Sequence, residues 1–237
     1  MSAKVEIKKD NLDYYLMELA KEYRKINKGK VKIEIVLVGG AAVVANYGFR
    51  DMTVDIDAIM DKTFGLKDAI FAVAQKHNLN YDWLNSDFMK TSSYSRKLRQ
   101  YSVYYKTFAN CIEVRTIKAE FLIAMKLVAA RKYKNDISDI IGIINEHQIH
   151  GNSITYDKIN KAVVQLYGTW DGISSDVVKL LKSVLKCEEF VDKYLEIRQE
   201  EIDNKRIITE IDNDYPNLVK GNNINDIIET AKKKKEE

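Results

Sequence analysis

The chain has 237 residues, enough to bury a real core in one large domain or two small ones. Apolar side chains make up 46% and charged ones 31%, the balance of a soluble globular protein, while a net charge of +3 is too small to announce a nucleic-acid binder. No apolar run approaches the roughly 20 residues that a bilayer span needs, and the first ten residues carry no apolar leader core. Cys111 and Cys187 stand alone, and the three histidines have no ligand spacing, so the pattern reads as a reduced, cytoplasmic chain without a zinc site.

Residues 11–26 place Leu12, Tyr15, Leu16, Leu19, Tyr23 and Ile26 at steps of three and four, which predicts an amphipathic helix ended by Asn27-Lys28-Gly29. Residues 31–38 alternate and then turn wholly apolar, as a strand entering a sheet interior does. A short helix over 41–47, a second strand over 53–60 and a helix over 66–77 follow. Residues 81–95 are polar and irregular. Strands are predicted over 98–106 and 110–117, joined as a hairpin at Phe108-Ala109-Asn110. Beyond 118 the periodicity is helical, over about 118–133, 136–147, 155–167, 173–186 and 187–204. The last residues, a lysine run followed by two glutamates, read as a frayed, solvated tail, with contact to RNA or an acidic partner as the other reading. The layout is α+β: a small mixed β-sheet flanked by helices, residues 1–150, followed by a helical C-terminal part, residues 151–237.

Most of the chemistry sits in 37–57. An apolar strand runs into Gly39-Gly40, a small-residue helix follows, and Asp55 and Asp57 alternate along the next strand. Strand alternation puts both carboxylates on one side and Ile56 on the other. Two adjacent carboxylates repel unless a cation lies between them, and Mg²⁺ commonly joins one or two carboxylates to substrate phosphates. The two glycines let backbone approach a ligand closely and present the positive end of a helix to an anion. Arg50 and Thr53 lie between these features, where a guanidinium can meet a triphosphate; ordinary loop roles are the alternative.

Strand, Gly-Gly, helix and Asp-x-Asp together resemble the nucleotidyltransferase superfamily, the fold of polymerase beta and the aminoglycoside nucleotidyltransferases. The form Arg-x-x-Thr-x-Asp-Ile-Asp, Arg50 to Asp57, looks most like the AbiEii/MenT-type branch of type IV toxin–antitoxin and abortive-infection toxins. The resemblance is tight over 37–60, looser over 110–145 and fades beyond 150. It implies a Mg²⁺-dependent transfer of a nucleoside monophosphate from an NTP such as ATP to a hydroxyl, with pyrophosphate leaving. It also implies a tRNA 3′ end as one acceptor class and a cognate antitoxin protein. A fold kept only to bind nucleotide or a partner is the rival reading.

The superfamily adds a third carboxylate from a later strand, and Glu113 in Cys-Ile-Glu-Val-Arg-Thr-Ile is the candidate; a pair with Arg115 or Lys118 on a wet sheet face is the alternative. Lys126 is the only polar group in Phe121 to Ala130, so its ammonium calls for an anion unless it snorkels or makes a structural ion pair. The toxin-like branch carries such a Lys with an Asp about ten residues on, which Asp136 matches; either Asn135 or Asp136 also suits a helix N-cap. Basic and aromatic residues over 89–99 read either as an RNA-binding segment or as a solvated loop.

Overall fold

The computed structural model describes residues 6–220 and 223–236. Part of the N-terminal stretch that lacks an apolar leader core, and the side chains of 234–237 in the lysine-rich end, lie outside the described residues. In chain order the elements are β1 (Ile7–Lys8), α1 (Lys9–Ile26), β2 (Ile33–Leu37), α2 (Gly39–Asn46), β3 (Met52–Thr53), β4 (Ile56–Met60) and α3 (Leu66–His77). Then come β5 (Leu84–Asn85), β6 (Ser102–Phe108), β7 (Ile112–Ile117), α4 (Ala119–Ala129), α5 (Asp136–Ile149) and α6 (Tyr156–Tyr167). The chain finishes with α7 (Ser175–Val184), α8 (Phe190–Asp214) and α9 (Ile224–Glu236).

These elements form two compact units. One runs through Val128 and includes Ile154–Gly172; the other holds Ala129–Ser153 and the chain from Ile173 onward. In the first, five strands make a mixed sheet in the order β5-β4-β2-β7-β6. β2 is antiparallel to β4 and parallel to β7, while β6 closes the far edge antiparallel to β7. The β6–β7 turn puts Ala109 at φ 45° and Asn110 at φ 55°, the primed geometry that matches the twist of a tight hairpin. The architecture is α+β, with a mixed sheet, flanking helices and a helical C-terminal part.

The periodic positions are the buried ones. Leu12, Leu16, Leu19, Ala20 and Tyr23 carry α1's inner face, and Ile35, Val36, Leu37 and Val38 are fully buried at the sheet's centre. Glu18 is buried on that same helix and joins it to α3 through Lys76 and His77, with Lys21 on its other side. The hydrogen bonds from Lys21 and Lys76 hold its carboxyl down to about 2.

The structure departs from the expected elements in five places. The strand foreseen over 53–60 is interrupted at Val54-Asp55, where Thr53 Oγ1 donates to the Asp55 carbonyl at 3.1 Å and closes a bend. β3 pairs with β1 instead, Ile7 opposite Thr53. Leu98–Tyr101 is a 3-10 turn, so β6 begins only at Ser102. α4 stops at Ala129, ahead of Ala130 at φ 34°. The helix begun near 187 runs on to Asp214, just before Tyr215-Pro216, and residues 231–236 of the segment expected to fray are the end of the helix α9. Among the described residues no helix is long and apolar enough to cross a membrane.

Candidate active site

The end of β2 delivers the chain directly into α2. Val38 is extended at φ −131°, Gly39 turns at φ +55°, and the first helical hydrogen bond runs from Ala42 N to the Val38 carbonyl. Val38 has no polar side chain, so it offers no cap to the N–H groups of the first turn. β4 runs antiparallel beside this turn: Val38 N donates to the Asp57 carbonyl at 2.9 Å. The Asp57 carboxylate lies against the turn itself, with Oδ2 3.6 Å from where a Gly39 Cβ would stand. An anion at the positive end of a helix is stabilised there, and a polyphosphate with a cation would meet it at the same spot.

Gly40 is needed for a different reason. A Cβ on it would lie 2.7 Å from Arg50 Nη2 and 2.9 Å from Thr53 Oγ1, so both side chains press on bare backbone. Arg50 is oriented by its Nε donating to the Met52 carbonyl at 3.1 Å, and Thr53 is buried. Gly39, Gly40, Arg50, Thr53 and Asp57 are therefore drawn into one cluster. Asp55 is two residues from Asp57 with buried Ile56 between them, so the two acids are half-buried on the side opposite the core, although Asp55 belongs to a bend and not to a strand.

Glu113 is not brought to this cluster. β2 separates β4 from β7, and the register sets Glu113 beside Glu34, whereas Asp57 is level with Val38. Four residues of β2 divide the two levels, about 13 Å at ordinary strand rise. Glu113 instead accepts from Arg115 Nη1 at 2.8 Å on a half-exposed face. The expected three-carboxylate set is accordingly not assembled, and among the described residues no group of three Asp, Glu, His or Cys could share a metal ion. Asp55 and Asp57 beside a glycine turn still match Mg²⁺ as it is usually held, by one or two carboxylates with phosphate oxygens completing the shell.

Lys126 is buried in α4 at 5% exposure, among neighbours from Phe121 to Leu127 that are all buried, so its ammonium is kept from bulk water. Asp136 opens α5 in the second unit and is buried. It accepts from the backbone N, Nε and Nη2 of Arg131 at 3.1, 2.7 and 3.1 Å. Neither Asn135 nor Asp136 caps α5 in the structure. The cap comes from α8: Glu201 receives Ile137 N at 2.9 Å, Ser138 N at 3.3 Å and the Ser138 hydroxyl. Nothing in the local pattern of 136–149 points to a residue more than sixty positions away, so sequence reasoning misses it. It also passes over Glu34, Arg99 and Arg115 as a group, although charges at alternate strand positions 113 and 115 were a usable signal.

A family model described as "Nucleotidyltransferase of unknown function (DUF6036)" matches residues 14–195, well over half of the chain. The chain belongs to that family. No curated protein and no solved structure matches it.

Proposed function

We propose that this member of a nucleotidyltransferase family transfers a nucleoside monophosphate from an NTP to a hydroxyl acceptor, with Mg²⁺ held by Asp55 and Asp57. The observation that carries this reading is the Asp57 carboxylate packed against the Gly39 turn, beside Arg50 and Thr53 on Gly40. The triphosphate lies along the first turn of α2, where backbone N–H groups and the Arg50 guanidinium receive its oxygens. Mg²⁺, when bound, supplies the charge that neutralises the attacking and leaving oxygens of the in-line displacement. The acceptor oxygen bonds to the α-phosphorus, the bond to the pyrophosphate oxygen breaks, and a carboxylate of the pair takes the hydroxyl proton. Lys126 is the further cation of this site.

The Arg50–Asp57 segment also supports the finer reading of a toxin that modifies an RNA 3′ end such as that of tRNA and is paired with an antitoxin protein. Induced expression should then halt growth in the wild type and not in an Asp57→Asn variant; equal growth arrest by both would remove that reading. A second reading, a nucleotide-binding module without catalysis, is favoured by one observation, the distance between Glu113 and Asp57. Incubation with each NTP, Mg²⁺ and total RNA separates the two. Catalysis requires pyrophosphate release with label entering the acceptor, whereas thermal stabilisation by NTP without pyrophosphate would establish the binding module.

Gly40→Ala gives a local test of the cradle. The new methyl has to displace Arg50 and Thr53, so NTP-induced stabilisation should weaken by about tenfold in apparent affinity, the worth of one charge-assisted contact. The melting temperature without nucleotide should change by only a few degrees. Undiminished NTP affinity in this variant would mean that the triphosphate does not lie on α2.

A further inference from the structure

A pocket of about 590 Å³ opens in the first unit and is lined by Glu34, Arg96, Lys97, Arg99, Gln100, Ser102 and Arg115. Four of these seven side chains are cations and one is a carboxylate. The register ties the pocket to the candidate active site. Glu34, Val36 and Val38 alternate onto one face of β2, Arg115 is the ladder partner of Val36, and Asp57 is level with Val38. Arg115 and the Asp57 carboxylate therefore project from the same face of the sheet, and the Glu34 level lies about 13 Å along the strands from Asp57, with fully buried Val36 and Val38 between.

The arginines are held in place rather than left to wander. Arg99 forks onto Asp61 at 2.8 and 3.0 Å, and Arg115 is fixed by Ser102 Oγ at 2.8 Å, the Ser102 carbonyl at 3.2 Å and Glu113 at 2.8 Å. Glu34 stands 3.7 Å from Arg99 Nε and 3.6 Å from Arg115 Nε, between the two guanidinium groups. Asp61 and Glu113 sit outside the lining and position the two groups from behind. On the rim, Arg96 and Lys97 are exposed; Lys97 reaches the Gln165 carbonyl, and Arg96 has no ion pair among the described residues. Preset guanidinium planes with exposed cations at the rim suit phosphate, which takes paired N–H donors and draws its affinity from several charges at once.

We infer that this pocket is the acceptor's seat, holding backbone phosphates of a single-stranded nucleic acid. This rests on the transferase reading for the word acceptor; the binding itself does not. Glu113, set aside as a third acid, then acts as a positioning residue for Arg115.

The test is anisotropy of a labelled, unstructured oligoribonucleotide of a dozen nucleotides, titrated at several salt concentrations against the wild type, R96A/K97A and Gln100→Glu. The expected result is at least a tenfold loss of affinity in both variants. In R96A/K97A the slope of log affinity against log salt should also fall by roughly 1 to 1.5, the worth of two single-strand phosphate contacts. Melting temperatures and NTP-induced stabilisation should stay at wild-type values. Unchanged oligonucleotide affinity in both variants would overturn the assignment, as would competition by polyglutamate as effective as by unlabelled RNA, which would mark an acidic-protein surface. If the oligonucleotide binds through Arg96 and Lys97 but no NTP stabilises the wild type, the pocket stands and the transferase reading fails.

Discussion

Asp57→Asn should abolish NTP-dependent pyrophosphate release, by on the order of a thousandfold or more, while the protein melts within a few degrees of wild type. The activity loss follows from place and charge. Asp57 is the carboxylate that meets the Gly39 turn, and an amide of the same shape neither draws a divalent ion there nor accepts a proton. A thousandfold corresponds to about 4 kcal/mol of lost transition-state stabilisation, the size of a major electrostatic contribution. The stability loss is small because the group is only half-buried and its helix-end interaction is worth at most about 2 kcal/mol. Pyrophosphate release and a thermal melt on the same preparation check both halves. Wild-type turnover in this variant would show that the site lies elsewhere.

Glu201→Ala should cost the second unit about 2–4 kcal/mol of stability. The carboxylate is 4% exposed and answers three donors at the first turn of α5, two backbone N–H groups and the Ser138 hydroxyl. Truncation leaves those donors buried and unmatched, and each such group costs on the order of 1–3 kcal/mol. The same face of α8 braces the start of α5 at two neighbouring turns. Arg198 reaches Asn135, and Asn204 Nδ2 donates to the Lys132 carbonyl at 2.7 Å. These contacts survive the change and hold the loss below the sum of its parts. Denaturant melts of the two proteins at pH 6 measure the difference; a loss under 1 kcal/mol would mean that α5 does not depend on this cap.

The same group makes stability depend on pH. Burial pushes the Glu201 carboxyl up to about 7, against the downward pull of its three hydrogen bonds. A folded value above the ordinary carboxylate value of 4.5 means that the folded chain binds more proton between the two values. This contribution is therefore complete below about 4.5 and is lost as pH rises through about 7. Wild type should lose stability from pH 5 to pH 8 more steeply than Glu201→Gln, which keeps the shape and cannot ionise. Parallel pH profiles would exclude Glu201 as the source.

Much of the first unit was legible in the residues because its signals are local. The three-to-four spacing of α1, the alternation of β2 and the small residues after Gly39-Gly40 are set by neighbours a few positions apart, and the structure follows them. The turn at Ala109-Asn110 was likewise readable, since it needs only its own four residues. The break at Val54-Asp55 was not, because β3 leaves the main sheet to pair with β1, whose partner is more than forty residues away. The helix α9 went unseen although Ile224, Ile227, Ile228 and Ala231 stand at steps of three and four, because the lysine run that follows them reads as a solvated end; Lys132–Glu229 and Lys232–Glu200 join it to distant residues.

What the sequence by itself determined is the glycine turn, the Asp-x-Asp pair and the family of folds they belong to, all carried by residues 37–57. Only the tertiary structure decided which distant side chains join them. Strand order placed β2 between β4 and β7 and the register set Glu113 opposite Glu34, so an acid that sequence spacing alone could not locate lies about 13 Å along the sheet from Asp57. The physical reason is that periodicity reports which way a side chain points, whereas hydrogen-bond register between strands decides what it stands beside.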